Sequence, residues 1–423
     1  MMVFEEFSTA HNTILFIIFI TALILGFVAN KTNFCTMGAV SDLVNMNDSG
    51  RMRAWLLAAT VALIGVTLLE ASSVTSFDDT LPPYRNSNFA WLEYILGGLM
   101  FGVGMTLGSG CGNKTLIRIG GGNLKSVFVF ALIAICAYFM VNPIPGTSDT
   151  IYSLLFYSWT NPATVSLTTQ QDIGAILAGA SGSETSTLRS LLGFFVSGLL
   201  LFIIYKSKDF RLDKDNNFSG IVIGVAVIIA WYATSSLVTI DADGEPMNWA
   251  SYANVDNWDM IEDDSAARPR DVGVQSYTFI NPIGQTLRYG INGLEQTLLT
   301  FGVVAVFGVV FGSLIWSLIN RSFRIEWFAN IRDFANHLIG GILMGIGGIL
   351  ALGCTIGQAV TGFSTLSIGS ILAFASIVAG SALTMKIQYY KMLHEDEATF
   401  IKAFITALVD FNLLPKNMRK LED

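Results

Sequence analysis

Apolar runs of roughly twenty residues, separated by short polar stretches, occupy most of this chain: 14–29, 54–71, 91–108, 124–143, 190–206, 220–237, 297–319, 337–352 and 366–386. A helix rises about 1.5 Å per residue, so runs of this order reach across a hydrocarbon core about 30 Å thick. The pattern predicts an all-α polytopic membrane protein with about nine transmembrane helices. It is wrong for a β-barrel, whose strands alternate apolar and polar side chains over about ten residues. Nine spans place the two ends of the chain on opposite sides of the membrane.

Glycine interrupts several of these runs, and one interruption occurs twice. Residues 97–111 and 340–354 are identical at seven of fifteen positions at a constant offset of 243, including Gly97/Gly340, Gly104/Gly347, Gly110/Gly353 and the terminal Cys111/Cys354. Apolar segments broken by glycine at equivalent places in two halves point to a transporter whose substrate site lies where the halves meet. The repeat divides the chain into an N-terminal half, 1–217, a C-terminal half, 218–386, and a tail, 387–423. The short apolar pieces after the breaks, 115–119 and 358–360, are expected to form re-entrant half-helices.

Lys and Arg mark cytoplasmic segments. They gather at Lys31, Arg51 and Arg53, at Lys114, Arg118 and Lys125, at 206–214, at 321–332 and in the tail. The stretches 72–90, 144–187 and 238–295 are poor in both and read as outside. This puts the N-terminus outside, turns the first glycine repeat inward and the second outward, and so makes the two halves inverted and pseudo-symmetric. The 238–295 stretch, with Trp249, Tyr252 and Trp258, is expected to be an outer loop over the mouth. In the tail, Phe400, Ile401, Phe404 and Ile405 fall at helical spacing and predict an amphipathic helix on the membrane or on a partner. No basic residue precedes Lys31, so the first span is expected to be retained rather than cleaved as a signal peptide. A lipoprotein anchor at Cys35 is not expected, because 32–34 lack the small residues such an anchor requires.

Composition agrees with a membrane protein: 52% of residues are hydrophobic and 13% charged, against about 25% charged in soluble domains. The net charge of −8 does not select a cation as substrate, because charges beyond about 8 Å are screened at physiological salt.

Four cysteines carry the candidate chemistry. Cys136 sits in an even apolar run and reads as a small packing residue. Cys111 lies in Gly108-Ser109-Gly110-Cys111-Gly112, and Cys354 in Gly353-Cys354-Thr355-Ile356-Gly357. Glycine costs about 1 kcal/mol in a helix interior, so such clusters mark interruptions. The glycines upstream have a sufficient explanation in close helix packing, but packing does not require a cysteine at the same terminal position of both copies. Cys35 follows the first span in Asn33-Phe34-Cys35-Thr36. A short alignment pairs Phe34 with Phe323 and replaces the thiol by Arg324.

Three such thiols could bind a metal, act as a redox pair or line a path for a soft solute. The cysteines lack Cys-x2-Cys spacing, and the histidines number three, which disfavours a zinc site. A Cys-x-x-Cys redox motif is missing. No P-loop, quinone or haem motif appears, so no cofactor is expected, and nothing indicates a nucleic acid. An anion path fits more of the chain, because half-helix amino termini present N–H groups and about half a positive charge, while S–H groups are weak donors suited to a polarisable guest. Asn33, Lys114, Arg118, Arg324 and Gln358 are candidate supporting polar groups, beside Gly110, Gly112, Gly353 and Thr355 at the breaks. A membrane thiol redox enzyme and a soft-metal channel stay open as alternatives.

At these residues the chain resembles the YeeE/YedE family of sulfur transport proteins, whose members include bacterial thiosulfate importers. The likeness spans 14–385 and is strongest at Phe34-Cys35, 108–125 and 340–370, with Gly353-Cys354-Thr355-Ile356-Gly357-Gln358 the most specific piece. The resemblance implies an inner-membrane transporter, not an enzyme, pinched like an hourglass, with re-entrant helices aimed at a small sulfur anion. It implies that three cysteines hand the sulfur end of thiosulfate along, and Cys35, Cys111 and Cys354 match those three. A small soluble sulfur-carrier protein in trans is a further partner that the resemblance implies.

Overall fold

The computed structural model describes residues 2–242, 245–255, 258, 268–394 and 398–421. Among the described residues, nine helices are long and apolar enough to cross a membrane. Each of the nine apolar runs falls on one of them. In chain order the helices used below are α1 (Phe7–Lys31), α2 (Thr36–Ser41), α3 (Gly50–Ala71), α4 (Trp91–Leu107), α5 (Gly112–Gly120), α6 (Leu124–Val141), α7 (Ile173–Ser181), α8 (Thr185–Tyr205), α9 (Lys214–Tyr232), α10 (Ile280–Ile291), α11 (Phe301–Ile319), α12 (Ile331–Leu350), α13 (Ile368–Leu393) and α14 (Phe400–Asp410). Several run a turn or more past the apolar stretch that predicts them, because helix ends need caps rather than apolar side chains. Thr300, Asn330 and Ser367 accept the capping N–H of α11, α12 and α13.

The repeated glycines set the packing. On α4 and α12 they face each other across an antiparallel crossing: a methyl at Gly97 would lie 2.7 Å from the Gly347 carbonyl oxygen, and one at Gly104 would lie 2.8 Å from the Gly340 carbonyl oxygen. Gly98 and Gly102 abut α13, while their counterparts Gly341 and Gly345 abut α6. Small residues thus let four backbones approach closely, as is common in membranes, and the contacts of one copy are repeated by the other with the chain direction reversed. Ser109 and Leu352, equivalent in the repeat, also share a left-handed conformation, with φ of 59° and 54°. The most extensive helix contacts, α1 with α11 and α4 with α12 and α13, join the first half to the second. The halves interleave around one core.

The 238–295 stretch is more than an outer loop. Its first part forms a small sheet: strand Val238–Ala242 pairs in parallel with Met2–Phe4 and antiparallel with Glu245–Asn248. There the Trp249 indole N–H donates to His11 Nδ1 at 3.2 Å, and Tyr252 stacks on Phe7. The chain then turns into the protein. Tyr277 and Phe279 are fully buried, and α10 packs on α6 and α11. Asn281, Pro282, Gln285 and Arg288 dilute the apolar run below what a span requires, while Ile280 and Ile283 form a buried stripe. Between Asn248 and Arg268 only 249–255 and Trp258 belong to the described residues.

The tail helix α14 forms where its spacing predicts. Ala403 and Ala407 are buried against α13, and Phe400 and Ile401 are exposed. Tyr390 of α13 donates to Asp410 at 2.6 Å.

Candidate functional site

Each of the three singled-out cysteines opens a short helix. Cys35 is the cap of α2 and Cys111 the cap of α5, and Cys354 leads directly into helical Thr355 and Ile356, then a wider π-type turn at Gly357–Gly362. In all three the cysteine carbonyl accepts the N–H four residues on: Ala39 at 3.0 Å, Thr115 at 2.9 Å and Gln358 at 2.8 Å. The thiol therefore stands at the open end of each short helix, beside N–H groups that no earlier carbonyl of the helix can take. At Cys354 one of them is used: the Gly357 N–H points at Sγ, 3.5 Å away. The expected half-helices at 115–119 and 358–360 lie within α5 and the Gly357–Gly362 turn. The half-helix after Cys35 has no apolar run to announce it.

The three thiols gather. Cys111 is within electrostatic reach of both Cys35 and Cys354, and all three are buried. None forms a disulfide. Among the described residues no group of three His, Cys, Asp or Glu side chains stands at metal-holding spacing. Thr355 faces Cys111 across the middle of the cluster, and Lys114 lies within reach of both Cys35 and Cys111, with its ammonium donating to Asn33 Oδ1 at 3.3 Å.

Two cavities approach the cluster from opposite ends. The larger, about 730 Å³, opens on the Lys/Arg-rich end and is lined by Asn33, Ser109, Lys114, Arg118, Lys125, Arg321 and Arg324, with Glu326 and Asp333 as its acidic residues. Lys125 is paired with Asp333 at 2.8 Å, which leaves the surface predominantly cationic. The smaller, about 190 Å³, lies at the other end and touches Thr278, Gly348, Leu352 and Gly353. None of the three cysteines lines either cavity.

Buried polar atoms without a hydrogen-bond partner cluster here. They include Thr36 Oγ1, Asn113 Oδ1, Thr355 Oγ1 and Gln358 Oε1 beside the three cysteines, and Thr278 Oγ1 and Tyr84 Oη beyond Cys354. An orphaned buried polar group costs about 1–3 kcal/mol, and native structures keep few. Six around one set of thiols, with Thr355 and Thr278 offered nothing better than the thiols of Cys111 and Cys354, describe a place prepared for a polar occupant.

The structure brings most of the sequence-nominated residues together and leaves two, Arg118 and Arg324, apart from the thiols. Gly110 lies under the Lys114 side chain, Gly112 packs on Ile280, and Gly353 faces Thr278. The Gln358 amide donates to the Ala351 carbonyl, tying the turn to the end of α12. Arg118 and Arg324 line the large cavity without reaching the thiols. The pairing of Arg324 with Cys35 needs correction. After α1 the N–H groups of Asn33 and Phe34 bond back to Asn30 and Ala29, and after α11 those of Arg321 and Ser322 bond back to Leu318 and Ser317. Asn33 and Arg321 share φ of 53°. Turn geometry thus aligns Cys35 with Phe323, one residue from the sequence pairing, and among the described residues no short helix follows there. Cys136 packs against Gly345. Thr278 and Tyr84 carry no sequence signal, since neither lies in the repeat; proximity to Cys354 alone marks them.

The family described as Sulphur transport matches residues 31–383. Two relatives are similar over most of their length. A protein named thiosulfate transporter TsuA from Escherichia coli (strain K12) is 25% identical over 343 residues, 80% of this chain and 84% of that protein. A protein of the same name from Spirochaeta thermophila is 22% identical over 367 residues, 85% of this chain and 96% of that protein.

Proposed function

The chain belongs to the sulphur transport family, and from that membership we propose that it imports thiosulfate or a related sulfur-containing anion across a bacterial inner membrane, past the thiols of Cys35, Cys111 and Cys354. One observation carries this reading: Cys111 lies within electrostatic reach of the other two thiols, between two cavities that approach from opposite ends. Both relatives named above are thiosulfate transporters by name.

The chemistry supports it. A full positive charge in the middle of the membrane would be costly and would hold an anion too firmly to release it. Neutral thiols and helix amino termini offer partial positive charge and weak donors instead. Such donors suit a large, polarisable sulfur anion better than a hard one. Lys114, Arg118, Arg321 and Arg324 then receive the anion in the cationic cavity, whose wealth of Lys and Arg supports a cytoplasmic position. A small soluble sulfur carrier would collect it there.

Growth of a sulfur auxotroph expressing this chain tests the substrate. Growth on thiosulfate as sole sulfur source is expected. Growth on sulfate or sulfite but not on thiosulfate would refute the assignment.

A further inference from the structure

The proposed path accounts for the thiols but not for Thr278 and Tyr84. Both side chains are more than nine-tenths buried, at 7% and 2% exposure, and neither hydroxyl oxygen makes a well-formed hydrogen bond, Thr278 having only the Cys354 thiol within reach. They converge on the turn that carries Cys354. A methyl placed on Gly357 would lie 2.5 Å from Thr278 Oγ1 and 3.5 Å from Tyr84 Oη, and one on Gly353 would lie 3.2 Å from Thr278 Oγ1. Tyr84 is also within electrostatic reach of Cys354. The smaller cavity ends here, on Thr278 and Gly353. The absence of side chains at 353 and 357 lets the two hydroxyls approach the turn that carries the thiol.

We propose that Thr278 and Tyr84 form a hydroxyl subsite for the oxygen-bearing end of the transported anion while its soft sulfur meets Cys354. This rests on the thiol path proposed above and narrows its substrate. Buried hydroxyls are normally paired; two left unpaired against one thiol are satisfied when the guest supplies the acceptors. An O–H donating to an anionic oxygen makes a charge-assisted bond, stronger than a neutral one, whereas a thiol is a weak donor matched to sulfur. Together they select an anion with two unlike ends, oxygens on one and an exposed soft sulfur on the other. An anion of sulfur alone would offer both hydroxyls only weaker, longer bonds to sulfur.

The test is the KM of labelled-thiosulfate uptake into proteoliposomes holding the full chain, for Thr278→Val, Thr278→Ser and Tyr84→Phe. Only preparations that unfold at the wild-type temperature are compared. Thr278→Val and Tyr84→Phe should each raise KM on the order of tenfold, the usual weight of a hydrogen bond to a charged group. Thr278→Ser, which keeps the hydroxyl, should stay within about twofold of wild type. Wild-type KM in both Thr278→Val and Tyr84→Phe, or an equal rise in Thr278→Ser, overturns the subsite. Uptake that persists in Cys354→Ala would instead overturn the thiol path beneath it.

Discussion

Gly97 and Gly347 meet reciprocally: a methyl on Gly97 would lie 2.7 Å from the Gly347 carbonyl oxygen, and a methyl on Gly347 would lie 2.6 Å from the Gly97 carbonyl oxygen. The two residues sit seven positions apart in the register of the repeat, and the antiparallel crossing of α4 and α12 brings each to the other. Because both helices end in a Gly-Cys break, this contact also sets how far apart Cys111 and Cys354 are held. Gly97→Ala or Gly347→Ala should push the helices apart and lower stability by about 1–3 kcal/mol, the cost of overpacking a close contact. Gly198→Ala, whose added methyl would meet nothing within 4 Å, should be neutral. Thermal unfolding in detergent compares the three.

At the end of the molecule opposite the cationic cavity, Arg85 locks the second break in place. Its guanidinium is 1% exposed, bonds both oxygens of Glu70 and donates through Nε to the Thr365 carbonyl at 3.1 Å. Asp172, fully buried, lies 3.9 Å away and is also held by Arg189. Arg85→Met should leave Glu70 without its buried cation and lose on the order of 3–5 kcal/mol. Glu70→Gln in the same chain should recover part of it. Equal unfolding temperatures for Arg85→Met and wild type would show that the network contributes nothing to stability.

Asp78 makes the same network sensitive to acid. Burial would raise its carboxyl, but hydrogen bonding to Ser76 and the nearby Arg189 and Arg85 guanidiniums outweigh burial and hold it below its ordinary value of 3.8. A depressed folded-state value means that its stabilisation is complete above the unfolded-state value and is lost as pH falls through the folded-state one. Asp78 should therefore contribute no pH dependence between pH 5 and 8 and a loss below about pH 4. Unfolding temperature against pH, compared between wild type and Asp78→Asn, isolates this part of the profile.

Much of this was legible before any coordinates. Apolar run length is a strong signal when every backbone group must be paired within its own helix, and so the nine spans fall where the runs lie. The Gly-Cys breaks were legible because a repeat supplies its own comparison. α10 was not, because an amphipathic helix with Pro282 and Arg288 has no continuous apolar run to betray it. Nor was the half-helix after Cys35, which lacks a second copy. Tyr84 and Thr278 join Cys354 across 270 and 76 residues of chain, a distance that no local pattern spans. The one-residue shift at Arg324 shows where a short alignment fails and a turn's hydrogen bonds decide.

The account centres on the thiols as the route. The most direct test is the initial rate of labelled-thiosulfate uptake into proteoliposomes containing Cys111→Ala, measured beside Cys136→Ala, whose Cβ packs against Gly345 outside the cluster. The account predicts that uptake is abolished in Cys111→Ala and nearly unchanged in Cys136→Ala. Equal, wild-type rates in the two proteins would contradict it.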